Sequence, residues 1–239
     1  MHAWKSFPRP SVPRFNCATI TGLRDPIEII FEDDSLIVVE KPAGLLTMAT
    51  EAERSRTAYA FLRARANAKH PPEKIFIVHR LDREASGLLV FAKTVESKEH
   101  LQSQFKDHSA GRRYLAVVEG RVREDNVTIR SRLAENAAYR VYSSRRPGAG
   151  KPAVTHVRVL RRNRKTTLVE VRLETGRKHQ IRVHLAERGH AVVGDKSYGH
   201  GGNPIRRLAL HGAFLEFRHP VTNRPMHFES PCPKSFDSL

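Results

Sequence analysis

Seven short apolar runs of strand length, interleaved irregularly with three helical stretches, are what most constrain the fold of this chain. Ile29–Phe31 and Leu36–Val39 flank the turn-forming Glu32-Asp33-Asp34-Ser35 and read as a hairpin, closed by Lys41-Pro42-Ala43-Gly44, where Pro lacks a ladder N–H and Gly permits a sharp turn. Ile75–Val78, Leu88–Ala92, Tyr114–Val118, Thr155–Leu160 and Thr167–Leu173 have the same length and β-rich composition. Helical spacing predicts helices over Thr57–Lys69, Glu96–His108 and Arg177–Arg188, the last with Ile181 and Leu185 four apart and Gly189 just beyond its end. Without strict strand–helix alternation, the pattern predicts an α/β chain of the α+β type: a central mixed, mainly antiparallel sheet with flanking helices. The Arg-, Gly- and Pro-rich Ser143–Pro152 is expected to be a long mobile loop.

Charge narrows the partners. Forty-two Lys and Arg against 25 Asp and Glu give a formal net charge of +17, enough to draw polyanions, of which nucleic acid is the expected one. Residues 1–24 carry four cations and no acid, but Pro8, Pro10 and Pro13 prevent the amphipathic helix of a transit peptide. We therefore expect a basic, loosely ordered extension over 1–24 and a single catalytic domain over 25–239. Cys17 and Cys232 stand alone, so neither a disulfide scaffold nor a zinc knuckle is expected, and a reducing, cytoplasmic setting is the default. No heptad pattern suggests a partner subunit, and a monomer is expected.

Two segments concentrate polar chemistry. His79-Arg80-Leu81-Asp82-Arg83-Glu84-Ala85-Ser86-Gly87 lies between two strand-like runs, where a scaffold can both fix and expose a reactive side chain; an ordinary Asp/Ser/Gly turn fits the segment equally well. In Thr175-Gly176-Arg177-Lys178-His179-Gln180-Ile181-Arg182, helical spacing sets Arg182 beside the Ile181 and Leu185 stripe. A half-buried Arg needs an acid, and Asp82 is a candidate; an Arg that covers apolar surface with its methylenes is the plainer reading.

Together these segments resemble two signature motifs of the RluA family of RNA pseudouridine synthases. The likeness extends to Glu32-Asp33-Asp34 leading into Lys41-Pro42-Ala43-Gly44-Leu45, to Arg113-Tyr114-Leu115-Ala116, to Gly194-Asp195 with Tyr198-Gly199, and to Leu208-Ala209-Leu210-His211 and His219-Pro220-Val221-Thr222, in order from about residue 27 to 233. Ala85 departs from the family's usual Thr. The 24 residues before the domain are too few for an S4-type RNA-binding module, so target selection is expected to come from the domain's own basic surface.

The resemblance implies a fold with a basic cleft and an activity: isomerisation of uridine to pseudouridine in ribosomal or transfer RNA, needing no cofactor and no metal. It assigns catalysis to Asp82, with Tyr114 stacking on uracil or removing the C5 proton and Arg182 neutralising the aspartate. Arg80 is implied to fill the gap left by a flipped-out uridine, and Arg177, His179 and Gln180 to contact RNA. Cations such as Arg63, Arg65, Arg145, Arg146, Lys151, Arg161, Arg162 and Arg164 form a diffuse phosphate footprint.

Other readings fit less well. Gly148-Ala149-Gly150-Lys151 lacks a phosphate loop's first Gly, because Arg145 stands there, and its Ser/Thr, because Pro152 does. His179 and His184 are five apart, about 140° around a helix, too far to share an ion. A non-catalytic RNA-binding or ribosome-assembly protein on the same scaffold is the alternative from another class; release of tritium from C5-labelled uridine discriminates the two.

Overall fold

The computed structural model describes residues 27–200 and 202–239; the basic extension expected over 1–24 lies outside them. Among the described residues eleven strands join one sheet: β1 (Glu28–Glu32), β2 (Leu36–Lys41), β3 (Phe76–Ile77), β4 (Ser86–Ala92), β5 (Gly111–Glu119), β6 (Asn126–Glu135), β7 (Val141–Ser143), β8 (Lys151–Arg162), β9 (Thr166–Leu173), β10 (Leu210–Arg218) and β11 (Pro225–Glu229). Three helices, α1 (Ala58–Asn67), α2 (Val95–Lys106) and α3 (Gln180–Glu187), punctuate them. The spatial order is β1-β2-β4-β10-β5-β9-β8-β6-β7, with β11 on β10 and β3 on β4. Every pairing is antiparallel except β4 with β10. The expected mixed, mainly antiparallel sheet with helices on it is what the chain forms.

Local chemistry sets the boundaries. The Asp33 carboxylate accepts from the N–H groups of Ser35 and Leu36 and so closes the β1–β2 turn. Thr57 and Thr94 cap α1 and α2 by accepting from Ala60 and Ser97. All of β4 is buried, which explains its continuous apolar run: one cluster holds Leu89 and Phe91 with Leu62 of α1 and Ile181 and Leu185 of α3, the other Leu88 and Val90 with Leu101 of α2.

The structure departs from the sequence expectations at four places. α3 starts at Gln180, not Arg177, because His179 takes a left-handed conformation (φ 53°) and turns Lys178 away to pair with Glu135. β8 runs from Lys151, so Ser143–Pro152 reduces to a shorter link between β7 and β8, both in the sheet. β6 with β7, and β10 with β11, were not read from the sequence as strands. Among the described residues no helix is long and apolar enough to cross a membrane.

Candidate active site

The β3–β4 loop carries Asp82, and buried polar groups hold it from beneath. The Thr47 hydroxyl donates to the Leu81 carbonyl at 3.0 Å and accepts its N–H at 3.1 Å. Lys41, fully buried at the end of β2, donates to the carbonyls of Pro42, Leu45, Arg83 and Ala85 at 2.6–3.2 Å, which ties the Lys41-Pro42-Ala43-Gly44 turn to the Asp82 loop. Burial lowers the Lys41 pKa to about 7, with Asp82 and Glu84 acting the other way. The loop leaves through Ser86-Gly87, where β4 meets β10 in parallel: a Cβ on Gly87 (φ 120°) would stand 2.3 Å from the Gly212 carbonyl oxygen, so only glycine fits.

Arg182, on α3, is almost wholly buried and reaches this loop. Its Nη1 lies 3.4 Å from Asp82 Oδ2 and 3.7 Å from Glu84, whereas Nε and Nη2 form a two-pronged pair with Asp195 at 2.7 and 2.8 Å. The sequence pairs Arg182 with Asp82 alone; the structure makes Asp195 the main partner and Asp82 the outer one. Asp195 also accepts from the N–H groups of Ser197 and Tyr198. Burial pushes its carboxyl up, but Arg182 and these donors more than offset that and hold it below the usual range. Burial opposes the charge on Arg182 too, yet the Asp195 carboxylate raises its pKa.

An open cleft beside Asp82 is lined by Arg80, Arg112, Tyr114, Arg177, Lys178, His179 and Gln180, with Leu81, Ile181 and Leu210 as apolar wall. It is the basic cleft that the resemblance implies. Tyr114 is buried, and burial raises the pKa of its phenol, Asp82 adding to the effect and Arg112 opposing it. Arg80 is exposed, and its side chain forms no hydrogen bond or ion pair among the described residues. His179 pairs with the Tyr198 hydroxyl at 3.0 Å, and burial lowers its pKa against the pull of Asp82. Gln180 differs from the RNA-contact role implied for it: its amide oxygen accepts from Thr175 and the Arg177 N–H, and its nitrogen donates to Val154 and Thr155. The side chain is committed to the fold, fixing the turn that carries Arg177 and Lys178.

Sequence reasoning left Asp195, Lys41, Thr47 and Arg112 without roles. The signal for Asp195 was an acid one glycine beyond the apolar Ala191-Val192-Val193; a buried carboxylate needs a cation, and Arg182 was the cation lacking a second acid.

Comparison with known proteins agrees with this geometry. The family described as RNA pseudouridylate synthase matches residues 35–187, well over half of the chain. An uncharacterized RNA pseudouridine synthase of Bacillus subtilis is 36% identical over 89% of this chain and 71% of its own length. A ribosomal large subunit pseudouridine synthase D of Zymomonas mobilis is 36% identical over 90% of this chain and 72% of its own. The solved structure titled human RNA pseudouridylate synthase domain containing 1 superposes with a TM-score of 0.71 over 89% of this chain and 86% of that one, at 26% identity. A match of this extent, in sequence and in fold alike, means that the chain belongs to the RNA pseudouridylate synthase family.

Proposed function

We propose that this pseudouridine synthase isomerises uridine in large-subunit ribosomal RNA, using Asp82 as its catalytic residue. The observation that carries the reading is the convergence of Asp82, Tyr114 and the Arg182–Asp195 pair on one basic cleft, with Asp82 partly open to it. The RNA class follows the name of the Zymomonas mobilis relative.

The reaction breaks the N1–C1′ bond of uridine, turns the uracil, joins C5 to C1′, releases the C5 proton to solvent and leaves N1 to take up a proton from solvent. Asp82 contributes a carboxylate beside the sugar, either as a nucleophile at C1′ or by drawing off a sugar proton in a glycal route. Tyr114 is assigned the stacking contact with uracil, and its hydroxyl, kept protonated by burial, relays the C5 proton by passing its own proton on as it receives that one. Arg182 sets a cation beside the Asp82 carboxylate, 3.4 Å away, and orients it toward the cleft. The uridine reaches the cleft by flipping out, and the exposed Arg80 fills the vacated space. The chain acts as a monomer in the cytoplasm, without cofactor or metal, and residues 25–239 form its catalytic unit.

The decisive experiment is tritium release from 5-tritiated uridine in total RNA of a strain lacking the gene, followed by mapping of the modified position. Release from large-subunit ribosomal RNA, abolished by Asp82→Asn, is the expected result; release confined to transfer RNA would overturn the substrate assignment, and full release by Asp82→Asn the residue assignment.

A further inference from the structure

Two cleft cations, Arg80 and Arg112, have no side-chain partner among the described residues, and of these Arg80 is exposed whereas Arg112 is partly buried. Lys178 pairs with Glu135, Arg182 with Asp195 and Asp82, and Arg177 donates to the Pro152 carbonyl. Arg112 is half-buried, makes no hydrogen bond or ion pair among the described residues, and leaves its buried Nε unpartnered. Withdrawing a guanidinium from water without an acid is unfavourable, so such a group marks the place of an anion the protein does not itself supply.

The side chain is nonetheless held firmly. Its guanidinium lies over the Phe105 ring at 5.0 Å, and Phe105 stacks on His79 at 4.5 Å, giving a His79–Phe105–Arg112 pile of which Arg112 lines the cleft. His79, the first residue of the Asp82 motif, accepts the Val90 N–H on Nε2 and stays neutral: burial, with Arg112 adding, lowers its pKa to about 3. On another side Gly176 leaves room, since a Cβ there would sit 3.1 Å from both Nη atoms of Arg112. The glycine of Thr175-Gly176-Arg177 is thus explained by Arg112 rather than by its own backbone, which has no positive φ.

Arg112 and Tyr114 are two apart on β5 and both line the cleft, roughly 7 Å apart along the strand. If uracil stacks on Tyr114, the anion nearest Arg112 is the backbone of the same nucleotide. We propose that Arg112, braced by Phe105 and given space by Gly176, is the binding site for a phosphate of the flipped uridine. A planar fork presenting more than one N–H suits a phosphodiester, whereas a neutral uracil carbonyl would leave the charge uncompensated. The proposal rests on the cleft being the uridine site and adds to it the group that fixes the nucleotide's backbone.

The test is displacement of a labelled oligouridylate by uridine and by its 5′- and 3′-monophosphates, for wild type, Arg112→Met, Arg112→Lys, Gly176→Ala and Arg113→Met. Arg113, the next residue on the strand, lies over the Phe214 ring and pairs with Glu170, so Arg113→Met removes one charge while leaving Arg112 and its Phe105 brace in place. Wild type is expected to prefer one monophosphate over uridine about tenfold or more, the scale of one charge-assisted contact. Arg112→Met should erase that preference, Arg112→Lys and Gly176→Ala should weaken it, and Arg113→Met should keep it. The log-log salt slope of oligouridylate binding should fall by about 0.7 in Arg112→Met, the contribution of one phosphate on a single strand.

A wild type without monophosphate preference, or a preference that survives Arg112→Met, overturns the proposal. So does a fall in tritium-release kcat with preference and slope intact, because that places Arg112 on the reacting base. Should Arg112→Met not fold, Arg112→Lys and Gly176→Ala decide in the same way. Displacement requires binding only, so an enzyme that released no tritium would refute the proposed reaction and leave this test standing.

Discussion

Arg182 gives Asp195 two nitrogens, at 2.7 and 2.8 Å, and Asp82 one, at 3.4 Å. The inner pair fixes the plane of the guanidinium, and the outer contact is what remains for the carboxylate facing the cleft. The two aspartates therefore share one cation but have different consequences when changed.

Asp195→Asn removes the fully buried member and strands Arg182 in the interior. Breaking a buried pair in this way costs about 3–5 kcal/mol. Denaturant unfolding should show a loss of that size, with tritium release falling at the same time because Arg182 loses its orientation; a variant of wild-type stability would show that the inner pair is not structural.

Asp82→Asn is expected to behave in the opposite sense. The side chain is 16% exposed and keeps only the long contact to Arg182, so stability should change by less than about 1 kcal/mol, RNA affinity should persist and tritium release should vanish. Tyr114→Phe should retain stability similarly while losing most of the activity, since the ring is buried and lines the cleft and its hydroxyl has no hydrogen-bond partner among the described residues to lose.

Acid should destabilise the fold through two histidines, the buried His211 and the partly buried His79. Burial, with Arg112 adding, holds His79 at about 3, and burial, with Arg207 adding, holds His211 at about 4. Both folded values lie below the unfolded value, about 6.5, so in that window the unfolded chain binds more protons and stability rises with pH. It should be fully present above about 6.5 and lost progressively as pH falls toward 4, each histidine contributing a slope approaching about 1.4 kcal/mol per pH unit. His79→Phe should remove one proton's share of that slope in unfolding measurements at stepped pH; an unchanged slope would mean that His79 titrates normally.

Gly87→Ala should be among the most damaging single-methyl additions, because the new Cβ meets the Gly212 backbone at 2.3 Å and φ is 120°. Neither strand can move without opening the β4–β10 pairing behind Asp82, so a loss of about 3 kcal/mol or more is expected in thermal unfolding.

Arg80→Ala should leave stability untouched, as the side chain is exposed and unpaired. Single-turnover tritium release should fall far more on folded RNA than on an unstructured oligonucleotide, where a base flips at little cost. Equal losses on both would make Arg80 an ordinary phosphate contact.

The sequence by itself determined whatever is local in its physics. The β1–β2 hairpin was legible because Asp33 closes its turn from within, and α1 and α2 because their caps and apolar spacing are contiguous. β4 was legible because a strand covered on both faces reads as one apolar run. β6 was not, since it alternates inward Val127, Ile129 and Leu133 with Thr128, Arg130 and Arg132, and Ser131 interrupts the apolar set. β10 was masked by the register shift between Gly212 and Phe214, which resets the alternation. The site divides in the same way. Asp82, Tyr114 and Arg182 were readable as residues in motifs, but the contact between Asp82 and Arg182 spans 100 positions and exists only once α3, packed against β7 and β8, reaches the loop before β4. Tertiary structure alone decided that Asp195 takes most of Arg182, that Gln180 serves the fold, and that Arg112 is left with an aromatic brace and no acid, because each outcome depends on which buried groups meet across elements distant in the chain.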